Sequence, residues 1–484
     1  MAEPTSRPSP SGAVRAWADP AWMIGAGAAL LLLALALFDL RLLNDGDTYW
    51  HVAAGQWMLA HGQVPHADPF SFTRAGAPWQ AHEWLAEVMM AAAFALGGWS
   101  GLVALYGLAL AAAALLLTGQ LRRSLSGLSL GVTLALAFAC AAPNLLARPH
   151  VLVLPIVIGW TAVLLRARSA GRAPPAWAAL LMLAWANLHG SFVFGFLLLG
   201  GFALEALIDS PADRRWSTVR DWTLVGALSL AAAALTPQGL MGLVFPFRLL
   251  NQASLAGVDE WRATDFSKPG PFEIALLATL FVALSRGVKV APVRLLMLLG
   301  LLHMALQHNR HVMLAALISA MLLAEPMAKA LGQAPPAPRP VRAGAWLAFA
   351  ALALALILGR AAVPLVRPDG PATPGAALAH VPAALRAQPV LNDYAFGGYL
   401  IFKGVRPFID GRADLYGDAF LARYAQIIRP DAAALDQTLR DDHIAWSLLP
   451  PDAPELPLMD ARPGWKRLYA DRFAVVHVRT QAGP

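Results

Sequence analysis

AWMIGAGAALLLLALALFDLRLLNDGDTYWHVAAGQWMLAHG, residues 21–62, holds the key to the chain. Its first half, 21–40, is an apolar run long enough as a helix to cross ~30 Å of hydrocarbon. Its second half opens on two carboxylates two residues apart, Asp45 and Asp47, followed by Tyr49, Trp50 and His51. Residues 47–61 have the pattern of a helix, with Gly62 as its stop and Pro65 just beyond. The spacing therefore predicts a membrane span that delivers acids, aromatics and an imidazole to a membrane–water interface.

Similar apolar runs recur at about 100–120, 126–146, 150–166, 175–189, 191–208, 221–237, 271–285, 291–308, 311–328 and 344–366, eleven with the first. The 484 residues are 58% hydrophobic and only 14% charged, with a mean hydropathy of +0.54. A soluble globular chain of this size does not need so much apolar surface. The expected fold class is an all-α polytopic membrane protein. Lys and Arg set its orientation: in the N-terminal tail and the short loops, sixteen fall on the side of the N-terminus and seven on the opposite side. By the positive-inside rule the N-terminus is cytoplasmic, and an odd span count puts the C-terminal tail outside. The net charge of +7 is thereby accounted for without nucleic acid. One cysteine, Cys140, excludes a disulfide framework. Residues 1–20 read as a disordered cytoplasmic tail. The first apolar run starts late and has no small-residue cleavage site, so it reads as a retained span and not as a signal peptide.

Three regions follow from this pattern. Within a transmembrane domain at 21–366, the outer loop 41–99 is too long for a simple turn. PHADPFSFTRAGAPWQ (65–80) reads as irregular, and HEWLAEVMMAAAFALGG (82–98) as a second helix apolar enough to lie on or dip into the bilayer. Residues 334–344, rich in proline, read as a stiff linker. From 368 to 484 charge rises and apolar runs shorten, which predicts a small α/β extracytoplasmic domain. Strands are expected at 389–394, 399–404, 406–412 and 473–479, with a helix at 431–443.

Polar residues gather at one side although the spans alternate in direction. Asp45, Asp47 and His51 follow the first span, and His82 with Glu83 precedes the second. Arg148 and His150, then His189, then His308, Arg310 and His311 stand at outer ends of later spans. Each has an ordinary reading. Asp45 or Asp47 can cap the helix after it; Glu83 can begin an interfacial helix; Arg148 can reach headgroup phosphates; the histidine turns can be neutral hydrogen-bonded clusters. Each also has a chemical one. A carboxylate can deprotonate an acceptor, a D-x-D pair can bind a divalent ion such as Mg or Mn, and guanidinium binds phosphate bidentately. Ionisable groups at such depth default to function, and their repetition around one outer cavity favours a substrate site. In the tail, Asn392, Tyr394, Gly397, Gly398 and Asp410-Gly411-Arg412 read as turn chemistry with a structural Asp–Arg pair.

Asp47-Thr48-Tyr49-Trp50, then Ala53 and Ala54, then Leu59 and Gly62, resemble the GT-C superfamily of membrane glycosyltransferases, which includes protein mannosyltransferases and the aminoarabinose transferase acting on lipid A. These carry a carboxylate just after span one, followed by an aromatic juxtamembrane helix ending in glycine. Asp45 is a competing match. The motif match covers about 45–65; the topology match covers the chain. The D-x-D-x-Y-W-H pattern and HEWL stretch look closest to bacterial members. GQVPHADPFSFT replaces the usual proline-rich first-loop segment, and no sequon-recognition motif is evident, which leaves donor and acceptor open. The resemblance implies an inner-membrane enzyme moving a sugar from a polyprenyl-phosphate donor to a lipid, glycan or protein acceptor. It implies Asp47 or Asp45 as base, Glu83 as a second acid, and Arg148, Arg310 and the histidines as phosphate-binding groups. A divalent metal on Asp45 and Asp47 is an option not all members need. Three other classes compete. A polysaccharide polymerase or ligase should have a larger loop than 238–270. A lipid-linked substrate transporter should have ionisable groups near mid-membrane. The last is a non-enzymatic scaffold.

Overall fold

The computed structural model describes residues 19–252, 259–334 and 340–480. Most of the expected N-terminal tail and half of the 334–344 linker lie outside them. Helices occupy each of the eleven expected positions: α1 Pro20–Phe38, α3 Trp84–Leu121, α4 Gly127–Ala141, the pair α5 Pro149–Leu152 and α6 Leu154–Ser169, α7 Ala179–Leu188, α8 Phe192–Asp209, α9 Arg215–Ala234, α11 Pro271–Arg286, α12 Pro292–Gln307, α13 Val312–Ala330 and α14 Ala343–Ala361. Between them lie α2 Asp47–His61 and α10 Leu240–Leu250. By length and composition seven of the described segments can cross a membrane: Pro20–Phe38, Trp84–Leu121, Gly127–Asn144, Pro149–Ser169, Phe192–Asp209, Asn309–Ala330 and Ala343–Ala361. Ala176–Leu188, Leu240–Leu250 and Pro292–Gln307 are apolar but shorter, so eleven full-length spans are not established.

Local signals explain the ends that matter for the site. Asp19 caps α1 by accepting from the Ala21 N–H, and Pro20 suits the first helical position. Gly62 ends α2 in the left-handed conformation at φ 65°. Inside α3 the helix breaks at Gly97 and Gly98; Gly98 has φ 55° and ψ −140°, a conformation a side chain strongly disfavours. The first half of α3 thus packs along α2, and the second half crosses beside α1.

The C-terminal module carries α15 Gly375–His380, α16 Ala383–Arg386, α17 Gly397–Phe402, α18 Ala413–Ile427, α19 Ala432–Asp441 and α20 Leu456–Asp460 around a small sheet. The strands β1 Val390–Asn392, β2 Trp446–Leu449, β3 Trp465–Ala470 and β4 Val475–Arg479 stand in the order β1-β2-β4-β3. β1 and β2 run parallel, and the other two pairings are antiparallel. Two expected strands are absent. Residues 399–404 instead fall in α17 and the turn after it, behind a cap where Asp393 accepts from the Ala395 N–H. Residues 407–410 and 412 of the 406–412 segment are buried, but side chains replace its ladder: Asn392 accepts from the Phe408 N–H at 2.8 Å and donates to the Ile409 carbonyl at 2.8 Å. Strands β2 and β3 were not anticipated.

The module sits directly on α2. Val52 belongs to the core of the helical bundle, while Tyr49 packs with Phe396, Leu400 and Trp446, and Trp50, Ala54 and Met58 pack with Phe408, Leu415 and Tyr416. The helix expected at an interface is therefore enclosed between bundle and module.

Candidate active site

The first loop and the turn before α5 are stitched together. Thr48 donates from its hydroxyl to the Ala147 carbonyl at 3.1 Å, and the Ala147 N–H donates to the Leu42 carbonyl at 2.7 Å. Asp45 accepts from the Asp47 N–H at 2.7 Å, a capping contact at the start of α2. Both carboxylates also face Arg148, so capping and ion pairing coexist at this pair. The Arg148 Nε lies 2.6 Å from Asp45, one terminal nitrogen contacts Asp47, and the other lies 2.8 Å from Glu260. Glu260 in turn meets Arg310 at 3.2 Å, whose guanidinium stands 4.4 Å above the Trp261 ring. The result is a continuous line of three carboxylates and two guanidiniums drawn from four distant segments.

Burial pushes the Asp47 carboxyl up to about 7, with Arg148 opposing and Asp45 and Glu260 assisting. Burial also works to raise Glu260, but Arg148 and Arg310 outweigh it and hold that carboxylate below its ordinary range. Asp47 is thus poised to exchange a proton near neutrality, whereas Glu260 is an anchor for two cations. A metal ion between Asp45 and Asp47 would have to compete with the Arg148 guanidinium already lying there.

Glu83, just before α3, is ringed by three imidazoles. His189 accepts from the Ser191 N–H at 3.0 Å on Nδ1, which leaves the proton of its neutral ring on Nε2. That Nε2 lies 3.3 Å from Glu83 Oε1. His82 donates through Nδ1 to the Gln80 carbonyl at 3.3 Å and turns Nε2 toward Glu83 Oε1 at 3.8 Å. His51 places Nε2 3.9 Å from Glu83 Oε2 and Nδ1 3.2 Å from Glu87 Oε1. Burial holds His51 and His189 neutral, well below the ordinary imidazole range, and pushes Glu83 up. One donor atom from each of His51, Glu83 and Glu87 lies within 4.8 Å of the others, a group that could hold a metal ion.

A cavity of about 120 Å³ opens beside these groups. Its lining mixes polar side chains, from His82, Glu83, His150, His189, Glu260, Arg310 and His311, with apolar ones, from Phe194, Phe245, Leu249, Leu250, Met313 and Leu314. Most expected site residues thus converge here. Asp45, Asp47 and Arg148 stand one layer behind Glu260, His51 stands behind Glu83, and His308 donates to the Trp261 carbonyl at 2.6 Å from outside the cavity. Glu260 and Glu87 were not anticipated. An acid in an outer loop reads as solvated, and nothing local announced Glu260. Glu87 lies in an apolar helix, where any ionisable group is costly, and that signal was available.

The module closes the site from the far side. A Cβ on Gly411 would collide with the Asp47 carboxylate, so any other residue there would have to displace that group. Tyr394 donates to the Gly411 carbonyl at 3.2 Å. Next to it Arg412 is buried and donates to Asp410 at 2.8 and 2.7 Å and to Asp68 of the first loop at 2.7 Å. The structural reading of Asp410-Gly411-Arg412 fits these contacts, and the same residues press on Asp47. A Ser447–His477–Asp460 chain also occurs, with His477 3.3 Å from Ser447 and 2.9 Å from Asp460, but Ser447 and His477 are both fully buried and no substrate can reach the hydroxyl.

No protein-family model matches the sequence, and no curated protein matches it. Among solved structures, the chain is similar to the crystal structure of the Archaeoglobus fulgidus oligosaccharyltransferase in its apo form. The two share a TM-score of 0.49 and 11% identity, over 87% of this chain and 69% of that one.

Proposed function

We propose that this chain is a membrane glycosyltransferase of the GT-C type, moving a sugar from a polyprenyl-phosphate donor to an acceptor at the outer face of a bacterial inner membrane. The observation that carries the reading is the cavity lined both by polar side chains, Arg310 and several imidazoles among them, and by a set of apolar ones. That mixed lining suits an amphiphile with a phosphate at the head of a hydrocarbon tail. In this reading Arg310, supported on Trp261 and Glu260, binds the phosphate and stabilises charge on it as it leaves. Asp47, near neutrality in its buried setting, accepts the proton of the acceptor hydroxyl. The acceptor oxygen bonds to the anomeric carbon as the carbon–oxygen bond to phosphate breaks, and polyprenyl phosphate departs with the electron pair. Glu83 on the cavity wall is a second acid, oriented by His189.

The test is sugar transfer in membranes from a panel of radiolabelled polyprenyl-phosphate sugars, with wild type, Asp45→Asn and Asp47→Asn compared at equal expression. Asp47→Asn is expected to lose about 10²–10⁴-fold in rate. Full transfer by the double variant would overturn the assignment of the base.

A further inference from the structure

We propose that His51, Glu83 and Glu87 form a binding site for a divalent transition-metal ion, distinct from the Asp45–Asp47 pair. Glu83 and Glu87 are one helical turn apart at the start of α3 and so share a face. His51 reaches them from the first turns of α2, which packs against that face. All three are buried, with 9%, 1% and 3% exposure for Glu83, Glu87 and His51. Among the described residues neither glutamate is ion-paired to a lysine or arginine; their only such contacts are imidazoles. Glu87 Oε2 is buried with no hydrogen-bond partner. A buried acceptor left in that state costs about 1–3 kcal/mol, more if charged. Two carboxylates and a neutral imidazole carry two negative charges, which one divalent cation would neutralise.

The donor set selects the ion. Imidazole nitrogen with carboxylate oxygen suits Zn, Mn, Fe(II) or Co, whereas Mg and Ca favour oxygen alone. Tetrahedral bonds of about 2 Å put ligand atoms roughly 3.3 Å apart. His51 would ligate through one ring nitrogen; its Nδ1 stands 3.2 Å from Glu87 Oε1, near that value, and one donor atom from each of the three residues lies within 4.8 Å of the others. The outer shell is also in place, since His189 contacts the second oxygen of Glu83 at 3.3 Å and fixes its orientation. Glu83 lines the cavity, so a fourth position on the ion would face substrate space. The site does not depend on the glycosyl-transfer reading. The Asp45–Asp47 pair differs in having Arg148 as its cation.

The test is Co²⁺ titration of the purified full-length chain in detergent after chelator treatment, read by visible d–d absorption and by metal content. Wild type is expected to take up one ion per chain. His51→Ala and Glu87→Gln are expected to weaken binding at least about tenfold, and Asp47→Asn is expected to bind as wild type does. Unchanged binding in His51→Ala and Glu87→Gln, no stoichiometric uptake by wild type, or loss in Asp47→Asn alone would each overturn the site. Should His51→Ala not fold, Glu87→Gln keeps the side-chain shape. In that pair Co²⁺ should raise the thermal midpoint of wild type and not of Glu87→Gln; an equal rise in both rejects the proposal.

Discussion

At the residue scale the decisive group is Asp47. Its carboxyl titrates near 7 in the fold, against 3.8 as its ordinary value. The folded chain therefore holds a proton that the unfolded chain loses as pH rises from about 4. Whatever stability this proton brings is present below the unfolded value and lost as pH rises through the folded one. Thermal midpoints of wild type and Asp47→Asn should shift relative to one another between about pH 4 and 7, with the neutral variant gaining on wild type as pH rises and the difference levelling off above 7. Under the proposed mechanism the same ionisation creates the base. Wild-type transfer at limiting substrate should then rise about tenfold per pH unit below 7 and level off above it. A profile flat across that range would remove Asp47 from the role. Asp45, Asp47, Arg148 and the histidines were visible in sequence because each interrupts or borders an apolar run, where charge is conspicuous. Glu260 was not, because its meaning lies wholly in Arg148 and Arg310, more than forty residues away on either side.

At the scale of elements, α2 and the turn carrying Gly411 meet with no room for a side chain between Gly411 and Asp47. Periodicity and the Gly62 stop marked α2 correctly, and Gly97-Gly98 marked the break in α3. The module was harder to read. Short apolar runs such as 399–404 suit a strand or a buried helix equally, and the choice fell to the Asp393 cap and the packing against α2. Gly411→Ala tests the contact. Its methyl would press on the Asp47 carboxylate, and a shift of about 1 Å at a reacting group can cost about 10²-fold. The expected result is a fall of that order in kcat/KM with a folded protein, as judged by its unfolding transition. Wild-type kinetics would mean that the module does not position Asp47.

At the scale of the whole molecule, the buried Asp68–Arg412–Asp410 group joins the first loop to the module. Tyr416 adds a donor to Asp410 at 2.7 Å, and Trp79 lies under the guanidinium at 4.7 Å. Removing the arginine would leave two carboxylates buried without their cation. Arg412→Ala should therefore cost about 3–5 kcal/mol of stability. The exposed Arg41–Asp39 pair, whose arginine side chain is 84% accessible, is screened by solvent and should contribute little. Thermal unfolding with limited proteolysis of the 62–83 loop distinguishes them: Arg412→Ala should release the loop to protease well below the wild-type transition, and Arg41→Ala should not.

The class of the protein was legible in its sequence because hydrocarbon imposes a rule on every residue of a span, and a rule applied twenty residues at a time leaves a pattern that needs no partner to be read. The same rule made the polar turns stand out. Which of those turns meet was another matter. Arg148 falls between Asp47 and Glu260, and Glu83 among His51, His82 and His189, through the packing of helices far apart in the chain. Ion pairs and hydrogen bonds act over a few ångströms, and no local pattern records a neighbour brought in from a hundred residues away. The fold had to form before the separate polar turns became one site, with the C-terminal module resting on its first carboxylates.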